Sequence, residues 1–400
     1  MALMLILAVA ALLPAGVARA EMADAGESGE ERVDEEGRAP ERMPLRRGGE
    51  VPPWERVDAP SGEELRAAGW TFIDEDARPG TAVAGLTAGT AGLVVHGLGH
   101  WMIGDPDTAL LLFLGQGVSI AVFATGIAMR RIAPRSTGLA GASDALAVGA
   151  GGLFAATWAG DVVGSFRGTG SPAAFPAFTP DGASLELAFS RLFAQGMHVR
   201  DHGVIAVPLR WSRLRIHPEL HADTRFDYRR AQLAIGWRIP LDRLSSLELR
   251  ALGDDEWQRA SSAGRTRLGG ESVMRLDAGT VVSHLTGLVW ELRVGVMADA
   301  LALESVQGGR RMTADLLRIT VPSETALELA VNPVVHLSAG YRHRDDLLVG
   351  TWGDQLGVFW GRLGIVPRNR IGAEVLLEQG AFFRAQLGLR WVFAEAAAAP

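Results

Sequence analysis

Near its end the chain alternates residue by residue. Phe383, Ala385, Leu387, Leu389, Trp391 and Phe393 are apolar, while Arg384, Gln386, Gly388 and Arg390 between them are polar, charged or small. A strand projects successive side chains to opposite faces, so this segment has one greasy face and one wet face. The same beat runs through Leu233, Ile235, Trp237, Ile239 and Leu241 against Gln232, Ala234, Gly236 and Arg238. It returns in Leu288, Trp290, Leu292, Val294, Val296 and Ala298 against Glu291, Arg293, Gly295, Met297 and Asp299. Met274, Leu276 and Ala278 against Arg275 and Asp277 repeat it, as do Val335, Leu337, Ala339 and Tyr341 against His336, Ser338 and Arg342. The runs reach about ten residues and recur about every 15–20, longer than ordinary globular strands and suited to tilted membrane-crossing ones.

A soluble sandwich would alternate too. Connection lengths add to run length in favouring a membrane wall. Short turns at Leu241-Asp242-Arg243, Asn332-Pro333 and Pro367-Arg368-Asn369 are expected to alternate with longer polar loops at 254–270, 304–311 and 345–353, the habit of outer-membrane barrels. Such a wall also fixes the register. Arginine on a lipid face near the bilayer midplane costs about 2–4 kcal/mol, and a slip of one residue would place Arg293, Arg384 and Arg390 there. Glu291, Arg293, Asp299, Glu374, Arg384 and Arg390 are therefore expected to point inward and line a lumen as a charge-paired network. The pattern predicts a membrane all-β antiparallel barrel over 184–393, preceded by an α-helical apolar region. Ten strands are readable, the first at 203–216, with a further candidate at 184–195. Because bacterial barrels have even counts, the expectation is 10–12.

Residues 1–20 read as a secretory signal, with an apolar run from Leu3 to Leu13 and small residues at Ala18 and Ala20. Residues 21–80 open with an acidic, proline-bearing stretch too poor in large apolar groups to offset its ordering entropy, and are expected to be disordered. Residues 81–164 are Gly/Ala-rich and apolar, predicting helices near 81–103, 108–128 and 139–163. The middle one carries no charge over Thr108 to Ala128 and is long enough to span a bilayer. Gly104-Asp105-Pro106-Asp107 marks a tight turn between the first two. Residues 165–183 form a Gly/Pro linker, and 394–400 a short tail.

The final strand, closing on Trp391-Val392-Phe393, resembles the C-terminal signature of bacterial outer-membrane barrels, although Ala394 to Pro400 follow it. That resemblance implies recognition by the outer-membrane assembly machinery and residence in the outer membrane of a Gram-negative bacterium, with the lipid bilayer as surroundings. Gly97-Leu98-Gly99-His100-Trp101 with Gly104-Asp105 resembles the helical hairpin of TM2-domain-type membrane proteins, which implies packing and no catalysis.

Composition narrows the function. The net charge of −7 argues against nucleic acid. No cysteine is present, so thiol nucleophiles, disulfides and thiolate metal sites are excluded. All 39 basic residues are arginine, which removes Schiff-base and phosphate-loop lysines. His96 and His100 lie four residues apart, a helical spacing that can bind a metal but without the glutamate of a zincin. His217, Glu219 and His221 would share a strand face and are placed near an outer loop. Both groups are weak metal candidates. His336 and Ser338 share a face but lack a nucleophile-elbow glycine pattern. The reading is an outer-membrane barrel without enzymatic activity or cofactor, acting as scaffold or narrow channel for an unknown substrate. The alternatives are a barrel-embedded lipid hydrolase, or an inner-membrane helical protein with a periplasmic β domain.

Overall fold

The computed structural model describes residues 80–132, 137–168, 182–194, 200–242, 244–259, 263–307, 310–331, 334–343, 357–365, 371–380 and 382–395. The predicted signal lies outside them, as do all but the last residue of the predicted acidic segment, most of the predicted linker, the 345–353 loop and the tail beyond Glu395; Ala394 and Glu395, expected in that tail, belong to the last strand.

The barrel strands are β1 (Gly182–Ala194), β2 (Arg200–Ala206 and Leu209–Trp211), β3 (Leu214–Asp223), β4 (Tyr228–Pro240), β5 (Ser246–Gln258) and β6 (Ala263–Asp277). They continue as β7 (Leu288–Gln307), β8 (Arg310–Thr320 and Ser323–Ala330), β9 (Val335–His343), β10 (Val358–Ile365), β11 (Ile371–Gln379) and β12 (Phe382–Glu395). Every neighbour is antiparallel, and β12 pairs with β1 from Gly182↔Glu395 to Ala194↔Phe382, closing the sheet on itself. β2 and β8 are each interrupted beside a proline, Pro208 and Pro322, which cannot donate to the ladder. Both pieces of each nevertheless keep the same neighbour, so the wall has twelve strands.

The even count falls inside the expected range, but the ten readable strands undercounted. The candidate at 184–195 is β1, and the segment read as one strand at 203–216 is the end of β2 and the start of β3. The two meet at a tight turn where Ser212 takes φ 51°. Two expected long loops are corrected as well. Most of 254–270 and 304–311 is strand, paired out to Gln258↔Ala263 and Gln307↔Arg310.

Alternation now has a geometric meaning. Leu187, Leu268, Leu317 and Leu387 point outward and are 47%, 63%, 74% and 61% exposed. Around the wall Ile205, Leu233, Ile235, Leu249, Val296, Phe359 and Leu389 do the same. An apolar belt of this extent far exceeds the patch a soluble monomer tolerates. A closed barrel satisfies its backbone internally, so such a surface belongs in lipid. Trp211, Trp237 and Trp391 project outward at the end that carries the barrel's first and last residues, where interfacial indoles are expected. The protein is a membrane-spanning β-barrel, which overturns the alternative of a soluble β domain.

The helices are α1 (Thr81–Thr90), α2 (Leu98–Met102), α3 (Pro106–Ile132) and α4 (Thr137–Arg167). The expected helix at 81–103 is broken. Gly97 sits at φ 93°, a conformation glycine alone adopts freely, and separates α1 from α2. α3 and α4 are long and apolar enough to cross a membrane.

α4 lies against the outside of the wall. Ala155, Ala156 and Ala159 pack on Leu288, Trp290, Leu327 and Leu329, the outward residues of β7 and β8. A Cβ on Gly152 would fall 1.8 Å from Thr325 Oγ1 and 2.7 Å from Trp290 Nε1, so only glycine permits this approach. At the other face of α4, Trp158 and Val162 pack with Ala88 of α1, and Trp158 Nε1 donates to the Ala88 carbonyl at 3.0 Å. α3 covers α4 from outside. It buries Ala109, Leu112, Gln116, Ser119 and Gly126 and exposes Leu110, Phe113, Leu114, Val118 and Ile120. The layers are thus barrel wall, α4, then α3 facing lipid.

Candidate functional site: the barrel lumen

The inward face of all twelve strands encloses a cavity of about 470 Å³. Glu291, Arg293, Glu374, Arg384 and Arg390 line it. Asp299 is on the same face of β7 but beyond the cavity, fully buried between Arg265 (2.9 Å) and Arg318 (2.8 Å).

The charged residues form a continuous ladder. Arg275 on β6 donates to Glu328 of β8 at 2.6 Å and to Glu291 of β7 at 2.7 Å. Glu291 also accepts from Arg293 at 2.6 Å. Arg293 reaches Glu324 at 3.7 Å, and Glu324 accepts from Arg342 of β9 at 3.0 Å. Arg342 continues to Glu378 of β11 at 3.6 Å, which pairs with Arg384 of β12 at 2.6 Å. A second group joins Glu248, Arg250 and Glu271, and a third gathers Arg230 and Arg267 on Asp254. Strand pairing explains the order, because inward residues of adjacent strands lie side by side, as in Glu324↔Arg342 and Arg275↔Glu291.

Among the described residues the cavity lining holds twelve arginines against ten carboxylates, a formal excess of two positive charges in a chain whose net charge is −7. Part of that excess gathers at the end of the first and last barrel residues. Arg210 and Arg215 are direct cross-strand partners there, and Arg390 lies 3.4 Å from Glu186. Sequence reading did not single out Arg275, Glu324, Arg342 or Glu378. Arg342 and Arg275 were in its alternation, but the partners that make them a ladder appear only once the register is fixed.

The metal candidates separate. His96 precedes α2, bonds Thr157 through Nδ1 at 2.8 Å and stacks edge-on to Phe154 at 4.4 Å. His100 turns instead to Asp161, so the break at Gly97 undoes their helical pairing. His217, Glu219 and His221 run along β3 toward the turn after Asp223. They lie within β3 on its inward face, and the two oxygens of Glu219 each engage one imidazole. His336 and Ser338 also face the lumen. A nucleophile there is on the wrong side of the wall to meet acyl chains of the surrounding bilayer.

Fold and lining together define a transmembrane barrel with a charge-bridged interior. No protein-family model and no curated protein matches the chain. Among solved structures it is similar to the KdgM porin in complex with disordered oligogalacturonate, at 8% identity and TM-score 0.37, over 53% of this chain and 99% of that one. It is similar to the NanC porin at 13% identity and TM-score 0.35, over 52% and 99%. A third likeness is an outer membrane channel from Pseudomonas putida F1, at 9% identity and TM-score 0.35, over 56% and 100%. At such distances nothing about ligand or transport passes from them to this chain.

Proposed function

We propose that the protein is an outer-membrane barrel of a Gram-negative bacterium that acts as a scaffold or narrow channel. One observation carries this reading: a closed wall, apolar outside, surrounds an interior lined by paired charges. Even-numbered antiparallel barrels are the architecture of bacterial outer membranes. The Trp391-Val392-Phe393 run, two residues short of the end of β12, supports delivery there by the barrel assembly machinery. A twelve-stranded barrel lies between the filled interior of about eight strands and the open bore of about sixteen, and here charged side chains paired along the wall from β6 to β12 narrow it. Such a lumen admits only ions or small solutes, at low rate.

Planar-bilayer recording of the full chain tests the proposal. Small conductance steps are expected, rising when the ladder is weakened. A large, weakly selective pore would overturn the narrow-channel reading, and recovery of the folded chain in the inner-membrane fraction would overturn the location.

A further inference from the structure

We infer that the junction between the helical layer and the barrel is a divalent-metal site of the zinc type, formed by His100, Asp105 and His284. These three come from three separate places: α2, the loop leading into α3, and the turn between β6 and β7. Their ligand atoms all lie within 4.8 Å of one another. His100 Nε2 and His284 Nε2 face each other at 3.0 Å, and Asp105 Oδ2 is 3.8 Å from His284 Nε2. Tetrahedral zinc with bonds of about 2.0–2.1 Å separates its ligand atoms by about 3.3 Å. The two spacings to His284 bracket that value and the third lies within 4.8 Å, so small side-chain rotations would seat an ion.

The surroundings are arranged as second-shell partners of a metal-bound histidine. Asp161, fully buried, accepts from His100 Nδ1 at 2.9 Å, which fixes the tautomer and turns the Nε2 lone pair toward His284. Asp161 is held in turn by the backbone N–H groups of Gly97 (2.9 Å) and His100 (3.1 Å), so it orients the ligand and is not itself one. Asp105 uses Oδ1 to cap α3 through the Thr108 N–H at 3.2 Å, which leaves Oδ2 toward the imidazoles. The Arg167 guanidinium is close, but it is spent on the carbonyls of Thr286 (2.8 Å) and Ala330 (3.0 Å). Two carboxylates and one guanidinium leave a local formal charge of about −1 around neutral imidazoles, which favours a dication. A cysteine-free chain offers no thiolate, so two imidazoles and a carboxylate are the zinc chemistry open to it.

The competing arrangement is a plain hydrogen bond from His284 Nε2–H to His100 Nε2. Zinc titration of the purified, chelator-stripped full chain in detergent separates the two, with Co²⁺ absorption reporting tetrahedral geometry. One equivalent of zinc per chain is expected. His284→Gln and His100→Gln should each weaken binding by at least about tenfold, and Asp105→Asn by a smaller factor, since losing an orienting group alone costs about 10–100-fold. A His217→Gln/His221→Gln variant should bind as wild type, and heat-modifiable migration checks that each variant keeps its barrel. Failure of the intact chain to bind zinc or cobalt would overturn the inference. So would unchanged affinity in a folded His284→Gln variant, or loss of binding in the His217/His221 variant. None of these readouts depends on conductance, so the site and the channel reading fail separately.

Discussion

Glu291 is the hub of the lumen ladder, and Glu291→Gln removes one charge from it with little change of shape. The carboxylate is 7% exposed and accepts from Arg275 at 2.7 Å and Arg293 at 2.6 Å. Breaking a buried ion pair costs about 3–5 kcal/mol when the orphaned charge finds nothing else. Here both arginines keep another partner, Glu328 at 2.6 Å and Glu324 at 3.7 Å, and the amide oxygen still accepts one bond. Losing one charge-assisted bond outright, worth about 1.5–3 kcal/mol, leaves a cost of about 2 kcal/mol. For a barrel of roughly 200 residues that corresponds to a fall of about 4–8 °C in unfolding midpoint. Heat-modifiable migration against temperature measures it. The same variant raises the formal positive excess of the lining by one, so reversal potentials in a salt gradient should shift toward anions. A double-mutant cycle with Arg275→Gln should show coupling of about 0.5–3 kcal/mol. A midpoint unchanged within about 1 °C, or strict additivity of the two substitutions, would refute the claim that the ladder holds the wall together.

Three further outcomes follow from other parts of the molecule. Leu387→Arg, on the outward face of β12, should destabilise the barrel by about 2–4 kcal/mol in bilayers, measured as urea midpoint in vesicles; an unperturbed midpoint would mean this face does not meet lipid. Gly152→Leu should lift α4 from the wall while the barrel stays folded, because its Cβ would fall 1.8 Å from Thr325 Oγ1. An Ala156→Cys/Leu329→Cys crosslink, clean in a cysteine-free chain, should form without the Gly152 change and disappear with it. Finally, burial and the adjacent His100 hold the His284 imidazole below its ordinary value of 6.5. A depressed folded value means its contribution is complete above 6.5 and is lost as pH falls from 6.5 toward the folded value. Protease protection of the α2–α3 connection in metal-free protein should weaken over that window, and His284→Gln should flatten the dependence.

How far the sequence disclosed this structure depends on which face of each strand carried a burden. β7 and β12 were legible because their outward residues must be apolar and their inward ones are charged, so both halves of the alternation speak. β2 and β3 merged into one reading because Ser212-Arg213 reverses the chain without Gly, Pro or Asn, the residues that announce a turn. The stretch 254–270 was mistaken for a loop because Asp254, Asp255, Glu256, Arg265 and Arg267 place charge on both faces. The structure pairs them across strands, as in Arg267 with Asp254 and Thr266 with Asp255. Inward Glu291, Arg293, Arg384 and Arg390 could be named from register cost alone. His284 could not be tied to His100, because the two are 184 residues apart and meet only when the helical layer docks.

Docking of that layer poses a problem that apolarity cannot solve. The outward face of β7 and β8 is greasy whether lipid or α4 covers it, and lipid tails are as apolar as leucine, so there is no hydrophobic drive to choose the helix. What remains is close fit and polar ties. The fit is supplied by Gly152, Ala155, Ala156 and Ala159, which let the α4 backbone approach the wall. The ties sit toward the two ends of the helix. Asp144 pairs with Arg130 of α3 and lies 3.3 Å from His343 of β9, while Arg167 donates at the opposite end to the carbonyls of Thr286, in the β6–β7 turn, and Ala330, at the end of β8. A row of small residues alone tolerates sliding or reversal along the wall. Partners of opposite character at the two ends do not, because reversing α4 would bring Arg167 to His343 and leave Asp144 facing carbonyl oxygens. Orientation of the helical layer is therefore set by its few charges, and its depth against the barrel by its glycine.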